Sequence, residues 1–230
     1  MTARPLKLLS SMATRELMAV LAARFEQQHG RAVITEAAGG IDVARRVEDG
    51  EAVDVVVLAA NAIDQLVASG RLLPDSRVDL VQSGIAMAVR AGATKPVVAN
   101  EDDVRRAVLA ADTISYSTGP SGQYLESLFS HWEILGEIKD RIVVPPPGVP
   151  VGSLVAEGKV ALGFQQLSEL MDLKGVAVLG PLPDSIQSMT VFSGAVGASS
   201  DAPGTARALL AFMAAPEVTD LKRQHGMSTA

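Results

Sequence analysis

The strongest constraint on this chain's fold is an alternation of short apolar runs with helical patterns. Leu6–Leu9 is such a run, and Leu17, Val20, Leu21 and Phe25 follow at helical spacing up to Gly30. Ala32–Thr35 then reads as a strand, Ile41–Val47 as a helix, Val53–Leu58 as a strongly apolar strand and Ile63–Ala68 as a helix ending near Gly70. A β-α-β-α-β-α order implies right-handed crossovers and a parallel sheet, whose strands are buried on both faces.

From Val78 to Arg90 the sequence is long, mostly apolar and without a helical stripe, as expected of strands that leave one sheet for another. A second alternation follows. Helices are predicted at Asp102–Ala111, Ser121–Leu135, Val151–Glu157 and Leu167–Met171, and strands at Ile114–Ser117, Ile142–Val144, Ala161–Phe164 and Val176–Gly180. Met189–Val196 is strand-like again, and Pro203–Ala214 and Pro216–Gly226 read as terminal helices that return to the first half. The expectation is a two-lobed α/β fold: two mainly parallel sheets flanked by helices and joined by two crossover strands. Residues 1–80 and 193–230 form one lobe and 81–192 the other, with a ligand cleft between them.

Composition agrees with that class. Hydrophobic residues make up 48% of the 230 and aromatics only 3%, a palette of Ala, Val, Leu and Gly that packs helices closely on strands. The formal charge of -6 is spread along the chain, with neither a basic run nor a ladder of aromatics, which argues against nucleic acid. Contact-range amides can still hold an anion, because a distant net charge is screened over about 8 Å. Cysteine is absent, and so are thiolate nucleophiles and Cys-based metal sites. No apolar run approaches the roughly 18 residues of a membrane span, so membrane insertion is not expected. Met1–Leu17 lacks the apolar core of a signal peptide. As written, the chain reads as soluble and cytoplasmic, or as periplasmic where a leader has been cut away.

Four stretches place small or hydroxylated residues just ahead of a helical pattern: Ser10-Ser11-Met12, Gly39-Gly40, Thr118-Gly119-Pro120-Ser121-Gly122 and Pro147-Gly148-Val149. Each fits the carboxyl end of a predicted strand, where open α/β sheets bind ligands. The first amides of a helix have no internal partner and carry about half a positive charge between them, so small residues there can cradle an anion. Taken singly, Ser11 also reads as an ordinary N-cap and Gly39-Gly40 as a simple turn, while the 115–122 stretch, with its hydroxyls and two glycines, is more telling. Gln165-Gln166, directly after Ala161–Phe164, adds two amides that can hydrogen-bond carboxylate or hydroxyl oxygens, or simply start a solvated helix. Asp54, at the start of a strand, is assigned no chemistry. His29, His131 and His225 fall near predicted helix ends, away from the four turns. With no His at the turns, no carboxylate cluster and no G-x-S-x-G, hydrolytic triads, zinc sites and paired-acid mechanisms have no residues to use, and neither a metal nor a cofactor is expected.

These stretches, in this order, resemble the periplasmic molybdate-binding protein family. SSMATREL is similar to that family's first anion-binding turn and helix, and GGIDVARRVEDGEAVDVVVLAAN to its second turn, helix and following strand. GPSGQYLESL resembles its Pro-Ala-Gly-x-Tyr helix start, GVPVGSLVAEGKVALGFQQLSEL its later turn, helix and strand, and LKRQHGM its terminal helix end. The resemblance implies the type II periplasmic-binding-protein fold and the substrate-binding role in an importer, with an ABC transporter permease as partner. Carried over by position, the ligand contacts fall on Ser11, Gly39 or Gly40, Ser121, Val149 and Gln166. Ser10, Met12, Ala59, Ser117, Thr118, Gly119 and Gly122 complete the candidate ligand-binding set.

Where that family has Ser at the second turn this chain has glycines, and Gln166 stands where it has Tyr. Glycines and an amide suit a larger, flatter anion, such as a di- or tricarboxylate, better than a tetrahedral oxyanion. Aconitate isomerase is similar to the same family and supplies an alternative, in which helix starts stabilise the charge that grows as a proton leaves an unsaturated tricarboxylate. Tyr116, Thr118 and Ser11 are the candidate proton acceptors near the turns.

Overall fold

The structure, a computed structural model, describes residues 4–146 and 148–230, so Pro147 of the last predicted turn lies outside the described residues. Its elements begin with β1 (Leu6–Ser11), α1 (Arg15–His29), β2 (Val33–Ala38), α2 (Gly40–Glu48), β3 (Val55–Ala59), α3 (Ala60–Ala68) and β4 (Val78–Arg90). They continue with α4 (Glu101–Ala110), β5 (Ile114–Tyr116), α5 (Pro120–His131), α6 (Leu135–Ile138), α7 (Val151–Ala156) and β6 (Leu162–Gln166). The last are α8 (Leu167–Leu170), β7 (Val176–Pro181), β8 (Met189–Val196), α9 (Pro203–Ala214) and α10 (Thr219–Gln224). The chain divides into two units, one reaching up to Gln82 and resuming at Val191, the other Ser83–Thr190.

In the first unit the strands lie in the order β2-β1-β3-β8-β4. β1 pairs in parallel with both β2 and β3, while β8 runs antiparallel to β3. Alternate side chains of β1 and β3 enter two different cores, which is why these strands are apolar at successive positions. Leu6, Leu8, Val55 and Val57 pack with Leu17, Leu21 and Phe25 of α1 and Leu209, Leu210 and Met213 of α9. Leu9, Val56 and Leu58 face the other way, onto Val43 and Val47 of α2 and Ile63 and Leu66 of α3. Each such side chain contributes about 1.5–3 kcal/mol by leaving water.

Asp54, fully buried just ahead of β3, has a structural task. It accepts hydrogen bonds from Arg4 (2.8 and 3.0 Å), the Lys7 amide (2.8 Å) and the Ser200 hydroxyl (2.5 Å). Burial alone raises the pKa of its carboxyl, but the Arg4, Ser200 and Lys7 hydrogen bonds together hold it below the ordinary carboxylate value.

In the second unit β4 lies between β7 and β6, antiparallel to both, and β5 adds in parallel to β6. One face carries Ile85, Met87, Ile114, Leu162 and Phe164 against Val104 and Val108 of α4 and Leu125 and Phe129 of α5. The opposite face is built from small residues, with Ala86 and Ala88 against Leu170 of α8. A Cβ on Gly163 of β6 would come within 2.5 Å of Val155 of α7, so glycine lets this helix approach the sheet.

Several predicted elements differ in extent: β2 runs on to Ala38, and of the helix expected over Pro216–Gly226 only Thr219–Gln224 is α-helical, after a short turn at Pro216–Val218. The helix expected over Ser121–Leu135 stops at His131, and Glu133 turns the chain with φ 58° before α6 begins. Ile142–Val144 forms only a single parallel bridge, Ile114 to Ile142, before Pro145 and Pro146 remove the amides a ladder needs.

Candidate functional site

In the first unit the register pairs Ser11 with Ala38 and Ser10 with Val57, so the carboxyl ends of three adjacent parallel strands lie level. Ser10, Ser11, Met12, Gly39, Gly40 and Ala59 are thereby gathered at one end of the sheet. Ser11 ends β1, and a short turn, Met12–Thr14, leads into α1. Its buried hydroxyl lies 3.3 Å from Thr14 Oγ1, and the Thr14 hydroxyl donates to the Ser11 carbonyl at 3.2 Å. Neither Gly39, ahead of α2, nor Ala59, ahead of α3, has a side chain that could cap its helix. A Cβ on Gly40 would lie 3.9 Å from Leu58 and 4.0 Å from Ser11 Cβ, which places the second turn beside the first. Asp42 faces the same end of α2 and is paired with Arg45 at 3.0 Å.

In the second unit Ser117, Thr118, Gly119, Ser121 and Gly122 form the step from β5 into α5. Gly119 caps the helix without a side chain, Pro120 needs no amide partner, and the Ser117 and Ser121 hydroxyls lie 2.9 Å apart. Thr118 is exposed and Ser121 buried.

Gln165 and Gln166 end β6, which is in register with β5 through Tyr116 and Phe164. Gln165 accepts from the Gly152 amide at the start of α7 (2.9 Å) and donates to Glu169 (2.8 Å). That amide of α7 therefore has a protein partner. Val149, one turn earlier, donates its N–H to the Pro146 carbonyl at 3.0 Å.

Gln166 is buried, and only one orientation of its amide satisfies both ends. Its oxygen then accepts from the Thr190 hydroxyl at 2.9 Å, while its nitrogen faces the Ser83 carbonyl (3.0 Å), the Gly84 carbonyl (3.2 Å) and the Ser83 hydroxyl (3.2 Å). The sequence reading named neither Ser83 nor Thr190. Both sit in predicted strands where nothing local marks them out, and only the folded sheet brings them to Gln166.

Tyr116 ends β5 just ahead of Ser117, but its hydroxyl is engaged within the unit. Its hydroxyl donates to Glu126 at 3.2 Å, and burial together with the Glu126 charge pushes the phenol up to about 12, which keeps it protonated at neutral pH. His29 and His131 are the last residues of α1 and α5, and His225 follows α10. Among the described residues no group of three His, Asp or Glu could hold a metal ion, and no helix is long and apolar enough to cross a membrane.

Residues 6–228 match the family model described as bacterial extracellular solute-binding protein. The chain belongs to that family. Among the relatives of this solute-binding protein is an aconitate isomerase from Pseudomonas sp, 42% identical over 188 residues, which are 80% of this chain and 71% of the relative. Among solved structures, the periplasmic molybdate-binding protein of Azotobacter vinelandii is similar with a TM-score of 0.82 at 20% identity, covering 98% of this chain and 99% of that one. The sulfate-binding protein SubI of Mycobacterium tuberculosis H37Rv follows with a TM-score of 0.79 at 20% identity, covering 99% and 88%. The α/β fold of this solute-binding protein is thus the periplasmic-binding-protein fold, as the order of its turns implied.

Proposed function

We propose that the protein binds a small anion, a di- or tricarboxylate in preference to a tetrahedral oxyanion, through donors at the carboxyl ends of parallel strands. The observation that carries this reading is the level arrangement of Ser11, Gly39 and Ala59, where α2 and α3 begin without a side-chain cap. Open amides at adjacent helix starts favour a negative ligand. In the second unit the paired Ser117 and Ser121 hydroxyls supply further donors. Gly39 and Gly40 leave room where a hydroxylated side chain would close on a smaller ion. The aconitate isomerase relative supports the carboxylate preference. As a substrate-binding component, the protein would deliver its ligand to an ABC transporter permease from the periplasm.

Thermal shift in citrate, cis-aconitate, trans-aconitate, molybdate, tungstate and sulfate tests this reading. A ligand at about a hundred times its dissociation constant stabilises by roughly 2.7 kcal/mol. Carboxylates are expected to raise the melting temperature, and no response to any anion would remove the proposal.

The 42% identical relative also favours a second reading, isomerisation of aconitate. An allylic proton would leave one carbon and a proton return to another while the helix starts hold the carboxylates. Tyr116 is a poor base for it, since its phenol is hydrogen-bonded to Glu126 and held protonated. Proton NMR of trans-aconitate incubated with the protein decides between the readings: new cis-aconitate signals support the isomerase, and an unchanged spectrum with tight binding supports the transporter component.

A further inference from the structure

Gln166 joins the two ends of its own unit. Ser83 is the first residue of the Ser83–Thr190 unit and Thr190 the last, and the Gln166 amide contacts both. An amide has two N–H donors, and here both are directed at the Ser83 and Gly84 oxygens while its carbonyl accepts from Thr190. What remains free is an oxygen lone pair, which cannot donate to an anion.

Resting on the anion-binding reading above, we propose that Gln166 is a positioning residue that acts through Ser83 and Thr190 and does not itself touch the ligand. Its amide fixes the end of β6 against β4 and β8. Gln165, the adjacent residue, holds the Gly152 amide and Glu169, and β5, which leads to Ser117, is paired with β6. Fixing the end of β6 therefore fixes β5, and with it the Ser117 hydroxyl, before a ligand arrives, and preorganised donors bind more tightly than mobile ones.

Gln166→Leu, Thr190→Val, the double variant and Thr190→Ser test this, with citrate as the probe and calorimetry as the readout. One hydrogen bond lost from the clamp predicts a rise in Kd of about two- to tenfold for either single variant. The double variant should be no weaker than the poorer single one, and Thr190→Ser should restore wild-type affinity. A Kd raised by Gln166→Leu but untouched by Thr190→Val would assign Gln166 to direct contact and overturn the proposal.

Hydrogen exchange of the Gln82–Ala86 segment supplies a readout that needs no ligand. Both single variants should exchange faster there than the wild type, and unchanged exchange overturns the clamp. Should the wild-type protein bind no anion at all, the anion reading fails while the exchange result still decides the clamp.

Discussion

Gly122 lies so close to Ser117 that a Cβ on it would fall 1.6 Å from the Ser117 carbonyl oxygen. Backbone meets backbone at this point, and no side-chain rotation can relieve the overlap. The tight step from β5 into α5 that pairs the Ser117 and Ser121 hydroxyls therefore depends on glycine. Replacing it by alanine is expected to destabilise the protein by about 1–3 kcal/mol or more and to lower anion affinity in the same variant. Guanidinium unfolding and calorimetry check both effects, and wild-type values for either would remove the dependence.

Ser121→Ala separates binding from folding. The lost hydroxyl is hydrogen-bonded to Ser117 at 2.9 Å, a neutral pair, so stability should change by no more than about 1 kcal/mol. A hydrogen bond to a charged partner is worth about 1.5–3 kcal/mol, which predicts a rise in Kd of about ten- to hundredfold. A melting temperature that falls while affinity stays fixed would make Ser121 purely structural.

Acid should weaken the fold partly through Glu51. Hydrogen bonds from Arg46 and Lys7, opposed by burial, lower its carboxyl from 4.5 to about 2. A carboxyl depressed by folding stabilises above its unfolded value, and that stabilisation is lost as pH falls through the folded value. Glu51→Gln should therefore be less stable than wild type at pH 6, with the difference shrinking between pH 4.5 and 2. A difference that stays constant over that range would show that Glu51 is not the group responsible.

Lys222 predicts the opposite limb. Its side chain is almost fully buried, its ammonium donates to the Leu80 carbonyl at 2.9 Å, and burial lowers its pKa from 10.5. Because folding disfavours the charged form, the wild type should gain stability as pH rises toward 10.5, where the unfolded chain also loses the proton. Lys222→Met lacks that gain. Unfolding at pH 7, 9 and 10.5 should show the wild type improving relative to the variant, and parallel curves would contradict the assignment.

Much of the first unit was legible because its signals are local. Leu6–Leu9 and Val53–Leu58 announce strands covered on both sides, and Gly39 and Gly40 mark a turn whatever surrounds them. β2 extends past the predicted Thr35 to Ala38 because its pairing with β1 continues as far as Ser11, a partner no window of sequence contains. Helix α5 ends early, at His131, and Glu133 then takes the left-handed region as a non-glycine residue, which local pattern does not reveal. At the candidate site the turns were visible as small residues ahead of helices. The engagement of Gln166 was not, because its partners on β4 and β8 meet it only once the sheet has formed.

The close approaches at Gly122, Gly163 and Gly197, where a Cβ would fall 1.6, 2.5 and 2.1 Å from its neighbour, reach beyond the chemistry of any ligand. Every first- or second-base change in a glycine codon introduces a larger residue or a stop, so at these places the gene has no neighbouring missense step that preserves the backbone. The side chains around the turns carry no such constraint, and there a new specificity can arise without rebuilding the frame.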